Sequence, residues 1–150
     1  MPQKEIEFEE KTFEQKEEEF REQHQIRKGE LDLDHIEIIG VKGGLLESLL
    51  SIFEAVKAKD DEARLTLTYD PQFDEFAGIE PYLLAVTKVE LDDSRVKAVT
   101  EEYGLKEFAD DVAVVKISMK TINRNLEEEI GTGDYVFVKI SGQWKFYRYQ

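Results

Sequence analysis

The stretch Asp111–Gln150 constrains this chain more than any other. Val112, Ala113, Val114, Val115 and Ile117 form one β-branched run, Tyr135–Ile140 a second, and Trp144–Tyr149 a third, rich in aromatic residues. Between the last two stands Ser141-Gly142, a two-residue step with glycine where a hairpin turn needs positive φ, so these runs pair antiparallel. A sheet of this kind needs a helix to cover it. Leu45, Leu46, Leu49, Leu50, Ile52, Phe53 and Val56 share one broad face at helical spacing, which predicts an amphipathic helix over Leu45–Lys59. Lys57 and Lys59 near its C-terminal end suit the helix dipole.

The length of 150 residues suits a single core. Charged residues make up 36% of the chain and hydrophobic ones 41%, and the aromatic and β-branched content argues against disorder. A formal net charge of −14 makes contact with phosphate backbones unfavourable, so no nucleic-acid partner is expected. The absence of cysteine excludes disulfides, thiolate metal sites and a cysteine nucleophile. No cofactor is called for, and no segment approaches the roughly 18 apolar residues of a membrane helix. The first residues lack the apolar stretch of a signal peptide. A cytoplasmic location is therefore expected, unless an export signal has been removed.

Two parts are expected: an acidic, largely helical arm over residues 1–34 and a single α+β domain over residues 35–150. The arm carries 12 acidic and 6 basic side chains, and Glu14–Gln25 are good helix formers. Ile6, Phe13, Phe20 and Arg27 fall on one stripe, too narrow for a coiled coil, where two positions per heptad must be apolar. The arm reads either as a solvated helix resting a few aromatics on the domain or as a partner-binding helix. Leu31–Val41 reads as a strand or a short helix, broken by Gly40 and by Gly43-Gly44. After the main helix, Asp60 caps a shorter one from Asp61 to about Thr68, and Tyr69-Asp70-Pro71 closes the helical part. Phe73–Pro81 reads as a loop. Leu83, Ala85, Thr87, Val89 and Leu91 alternate as the inward side of a strand, and Asp92-Asp93-Ser94 is a turn. Arg95–Tyr103 fits a returning strand, with a helix as the competing period. Asn123–Gly133 reads as a long acidic loop or an extended hairpin tip.

Three segments together resemble a known family: the helix pair LLESLLSIFEAVKAKDDEA, the strand DDVAVVKISMK and the closing hairpin YVFVKISGQWKFYRY. They are similar to the nuclear-transport-factor-2-like superfamily, the cone-shaped α+β fold shared with ketosteroid isomerase, scytalone dehydratase and polyketide cyclases. The resemblance covers residues 45–149 and implies a curved antiparallel sheet packed on helices, with a pocket in the mouth of the cone. Residues 1–41 have no counterpart in that minimal fold. The family hosts enzymes, binding modules and interaction domains, so the fold does not carry function across. Its isomerase branch sets a carboxylate base opposite a tyrosine and a protonated aspartate, a set not matched here residue by residue. Dehydratase-type chemistry leans on histidine, and this chain has only His24 and His35.

Candidate sites are few. His35 follows Asp34, and an Asp–His pair can tune a general base, although a lone histidine at an element boundary more often faces solvent. Asp92-Asp93 and Asp110-Asp111 are paired carboxylates at turn positions, where aspartate is favoured for bonding its own backbone. Gly131-Thr132-Gly133 lacks the lysine of a phosphate loop, and the runs Glu17–Glu19 and Glu127–Glu129 are most simply solvated faces. Among the aromatics with polar tips, Tyr69, Tyr82, Tyr103, Trp144 and Tyr147, the ligand-binding set expected is Tyr69, Tyr82 and Trp144, with Phe146 beside Trp144 on one face of the last strand.

The function expected is a non-enzymatic domain of the nuclear-transport-factor-2-like type, binding a small hydrophobic ligand or a protein. Homodimerisation through the sheet is expected with it, because aromatics crowd both faces near Trp144–Tyr149. The alternative is a small-molecule isomerase, dehydratase or cyclase using a pocket carboxylate. A distant third is an acidic mimic of DNA. A chain starting near Leu31 is expected to unfold cooperatively, because the arm has few apolar side chains to add to a core. Thermal melts followed by circular dichroism check this, and a molten product would instead place Phe13 and Phe20 in the core.

Overall fold

The strand run at Val112–Ile117 alternates between two interiors. Ala113, Val115 and Ile117 pack into one core and Val114 into another, and all four are buried. The same holds one strand over, where Tyr135 and Phe137 face the first core and Val136 and Val138 the second. A sheet buried on both faces has to be covered on both. The computed structural model of the protein, which describes Thr12, Gln15 and residues 31–123 and 125–150, shows how.

The fold is α+β, with an open five-stranded sheet in the order β1-β2-β3-β4-β5. The strands are β1 (Glu37–Ile39), β2 (Leu83–Leu91), β3 (Asp111–Ile122), β4 (Glu128–Ile140) and β5 (Gln143–Tyr149). Among the described residues of 31–150, the α-helices are α1 (Gly43–Ala58), α2 (Asp61–Thr66), α3 (Glu75–Ile79) and α4 (Val96–Glu102). The sheet is mixed rather than antiparallel throughout. β1 runs parallel to β2, with Ile38 opposite Val89, and every other pairing is antiparallel.

Helix α1 covers the first face. Leu49, Ile52 and Phe53 are fully buried along it, and each contributes about 1.5–3 kcal/mol by leaving water. Its N-cap, Lys42, makes no side-chain capping bond, a deficit of about 1 kcal/mol that one such residue offsets. Asp60 caps α2 as expected, its carboxylate accepting from the Ala63 N–H at 3.1 Å. Phe73–Pro81, expected to be a loop, contains α3, because Phe76 is fully buried between Phe53 and Tyr135 and the backbone around it must pair with itself.

The second face carries the main correction. Arg95–Tyr103, for which a strand was favoured, forms α4. Val96, Val99 and Tyr103 satisfy both periods, and the tertiary context decides. With Leu105 and Phe108 they cover Val114, Val136, Val138 and Tyr147. The aromatic crowding of the last strand is thus covered within the chain.

Register differs from simple alternation at two places. Bulges in β2, between Leu83 and Ala85 and between Val86 and Lys88, turn Leu83, Val86 and Val89 inward in place of the expected Ala85 and Thr87. A bulge in β5 sets Phe146 opposite Phe137 and Arg148 opposite Val136, leaving Tyr147 unpaired. Tyr147 joins the second core, whereas Tyr149 returns to the first face beside Tyr135 and lies over Gly133. The two tyrosines therefore do not share a face. The closing turn is as expected, with Ser141 at φ 50°, Gly142 at φ 82° and Ile140 paired with Gln143. The β3–β4 hairpin reaches past β5 to a tip at Asn123–Glu127, the extended form of the two expected there.

Leu31 is buried, and Asp32 bridges to Ala85 by two backbone hydrogen bonds, so the packed unit starts a little before residue 35. Most of the arm, with Glu14, the stripe Ile6, Phe13, Phe20 and Arg27, the run Glu17–Glu19, and His24, lies outside the described residues. Thr12 and Gln15 form a capping box, each side chain accepting from the other's backbone N–H.

One polar cluster ties α2 to α3. The side chain of Arg64, 4% exposed, donates to Asp74 at 2.7 and 3.0 Å and to Asp61 at 2.7 Å, and more weakly to Glu80 at 3.4 Å. Burial alone would lower the Arg64 pKa, but the bonds to Asp74 and Asp61 outweigh it and the net shift is upward. Glu80 shifts upward too, because burial outweighs the pull of Lys59 and Arg64. Three carboxylates share one guanidinium, and Glu80 holds the weakest contact. Arg64→Ala is expected to cost about 3–5 kcal/mol in urea denaturation, since it strands buried charge. Glu80→Gln works in the other direction. A folded pKa above the ordinary 4.5 means that Glu80 stabilises fully below that value and loses its contribution as pH rises through the folded one. The glutamine variant should therefore gain stability at about pH 7 and no advantage at about pH 4. A loss at neutral pH would show that the Arg64 contact outweighs desolvation.

Candidate functional site

The N-terminal turns of α1 run beside the β4–β5 turn, and a groove of about 370 Å³ opens between them. Gly44, Glu47, Ser48 and Ser51 line it from α1, Leu67 from the end of α2, and Ser141, Gly142, Gln143 and Trp144 from the hairpin. Two local features hold it open. Both turn residues have positive φ, and the Ser141 N–H donates to the Asp110 carboxylate at 3.0 Å, which fixes the turn to the strand before it. On the helix side, Gly44 lets the indole approach. A Cβ there would lie 3.4 Å from Trp144 Cδ1, and any longer side chain would enter the groove.

The polar groups of this groove are open to solvent rather than bonded to described residues, and Glu47, Ser51, Ser141 and Gln143 are exposed. Ser48 is only 9% exposed, yet its hydroxyl has no hydrogen-bond partner among the described residues. The Trp144 indole N–H and the side chains of Glu47, Ser51, Ser141 and Gln143 likewise bond to no described residue. A helical serine or threonine often returns its hydroxyl to the carbonyl one turn back, as Thr66 does to Glu62 at 2.9 Å. Ser48 does not, and its oxygen faces the groove.

The expected ligand-binding residues do not converge. Trp144 lines the groove, half-buried against the first core. Phe146 is fully buried beneath it, in contact with Phe76, Tyr135 and Phe137. Tyr69 lies around the sheet edge, stacked on Phe108 at 5.0 Å and tilted against Tyr147 at 5.6 Å, with Tyr103 completing the cluster. Tyr82 is half-buried at the entry to β2. The guanidinium of Arg148 sits between the rings of Phe73 and Tyr147, 3.3 and 4.2 Å from their centroids, so that aromatic surface is occupied by the chain itself.

The carboxylate candidates serve the backbone. Asp92 accepts from the Ser94 N–H and hydroxyl, which holds its pKa below the usual carboxylate range with help from Lys116 at 3.7 Å. Asp110 holds the hairpin turn, and Asp111 accepts from the Val112 N–H. His35 pairs with Asp32 at 3.2 Å rather than with Asp34, on an exposed turn. Asp32 lies below its ordinary pKa, mainly through the Asp34 N–H and then through His35. Thr132, between its two glycines, meets Ser118 at 2.9 Å on the open sheet face. Glu127–Glu129 are exposed, as a solvated face should be. Among the described residues no cluster of histidine and carboxylate side chains has the arrangement of a metal site, and no helix is long and apolar enough to cross a membrane.

No family model matches the chain, and no curated protein or solved structure is similar to it. What the groove does therefore has to come from its own geometry. Ser48→Ala is expected to leave stability unchanged within about 0.5 kcal/mol, because a hydroxyl that bonds to no described residue and reaches the groove's solvent adds little to folding. Phe146→Ala should cost about 3–5 kcal/mol as a core truncation. Denaturation midpoints of the two variants check both, and a large loss at Ser48 would give its hydroxyl a structural role.

Proposed function

We propose that this chain is a non-enzymatic binding module whose site is the groove between α1 and the β4–β5 turn. One observation carries the reading: five polar side chains and one indole ring from distant parts of the chain line a single concavity, and their hydrogen-bonding groups are used by no described residue. Groups left open to solvent around one concavity, beside a half-buried aromatic ring, are available to a ligand. A volume of about 370 Å³ lies within the range of small-ligand pockets.

The groove supports binding better than catalysis. Glu47 is the one titratable side chain that lines it, whereas isomerase or dehydratase chemistry needs a base and an opposed acid or oxyanion donor of matched pKa. Mimicry of DNA draws no support from the stretch of the second sheet face beyond α4, where Lys88, Lys116 and Lys120 lie among Glu90, Asp92 and Glu128. Kinship with the nuclear-transport-factor-2-like cone is supported by the α1–α2 pair and the closing hairpin. The parallel strand β1 and the helical cover on the second face are additions to that plan, so the binding reading rests on the groove and not on kinship.

Fragment screening by heteronuclear NMR tests it. Bound fragments should shift the amide signals of Gly44, Ser48, Ser51, Gly142 and Gln143 together with the Trp144 indole N–H. A screen whose hits all fall elsewhere would remove the groove as a site.

A further inference from the structure

Resting on the groove as a binding site, we infer that its ligand is a neutral, polyhydroxylated molecule of the saccharide class. Charge narrows the choice first. No lysine, arginine or histidine lines the groove, Glu47 places a carboxylate in it, and the chain as a whole carries −14. A phosphate, sulfate or carboxylate ligand would meet repulsion with no compensating cation. A hard metal cation needs several oxygen ligands, and one glutamate does not supply them.

Polarity narrows it further. A hydrophobic ligand, the class expected from the aromatic residues alone, would seal the hydroxyls of Ser48, Ser51 and Ser141, the Gln143 amide and the Trp144 N–H away from water without partners. The occupant has to bring hydrogen-bonding groups at similar density. These side chains also divide by role. Glu47 only accepts and the indole N–H only donates, while the serine hydroxyls and the Gln143 amide do both. A row of ligand hydroxyls, each able to donate and accept, matches such a mixture without requiring a charge on either side.

Trp144 supplies the remaining element. A pyranose ring has an apolar C–H face as well as a polar rim, and an indole offers the same pair of properties, a flat apolar body with one N–H. Trp144 is held in place from below by the first core and from the helix side by Gly44, so its ring is set before a ligand arrives. Ser48 lies nearly buried where the first turns of α1 form the groove wall, placed to bond one hydroxyl of a ring lying against the indole.

Trp144 is the single tryptophan of the chain, so its fluorescence reports on the groove directly. The full chain is titrated with maltotriose, cellotriose and tri-N-acetylchitotriose, and separately with the uncharged apolar probe N-phenyl-1-naphthylamine. At least one trisaccharide is expected to shift the emission saturably. Ser48→Ala and Gln143→Ala should each weaken that binding by about tenfold, equivalent to about 1.4 kcal/mol, while their urea midpoints stay at the parental value. If the trisaccharides change nothing and the apolar probe alters Trp144 emission saturably, the ligand class is overturned and the groove remains a binding site. If a trisaccharide binds equally well to both variants, it binds elsewhere and the inference falls. If neither kind of probe moves Trp144, the binding reading fails and takes the inference with it.

Discussion

Everything in this fold follows from the need to bury four consecutive residues of one strand. Tyr135, Val136, Phe137 and Val138 are all at or near zero exposure, and neighbouring side chains on a strand point to opposite faces. Neither face can then be left to water. The chain meets the requirement with α1 and α3 on one side and with α4 and its following turn on the other, joined by connections just long enough to cross the sheet. β4 lies inside the sheet because β3 and β5 flank it as hairpin partners, which need little loop. The parallel strand β1 is an addition at the far edge, with all three of its residues exposed.

The parts legible in the sequence are those decided by near neighbours. The Ser141-Gly142 turn dictates its own geometry, and with it the Ile140–Gln143 register. Asp60 caps α2 through a bond that spans three residues. Thr12 and Gln15 carry the spacing of a capping box, an equally local signal. What the sequence does not reveal is decided by distant contacts. Val96, Val99 and Tyr103 fit a strand and a helix equally, and only the second sheet face, formed by residues up to Tyr147, selects the helix. The bulges in β2 and β5 leave no mark in the alternation, so the inward sides of both strands were misassigned in part.

The groove illustrates the same divide. Trp144 stood out by its type. Ser48, Ser51 and Glu47 sit in a helix where they read as ordinary polar positions, and nothing near them announces that Gln143 and the turn will come alongside. Their significance lies in the company they keep around one groove, a property of the whole packing rather than of any segment. Arg64 is the reverse case. It is a buried polar residue invisible to pattern reading, and its donors are filled by Asp61 and Asp74. That contrast separates a structural polar cluster from a candidate site.

The β3–β4 hairpin extends beyond the last residue of β5, so from Glu128 to Gly133 the outer edge of β4 pairs with no described strand. Ile130, 69% exposed, lies on it. A bare edge with an apolar side chain is the template from which sheets grow from molecule to molecule. Here Glu127, Glu128 and Glu129 precede Ile130, so a second copy stacking on that edge in parallel register would set its carboxylates against like charge. Charge of this kind beside an exposed apolar residue works against the in-register stacking from which fibrils grow.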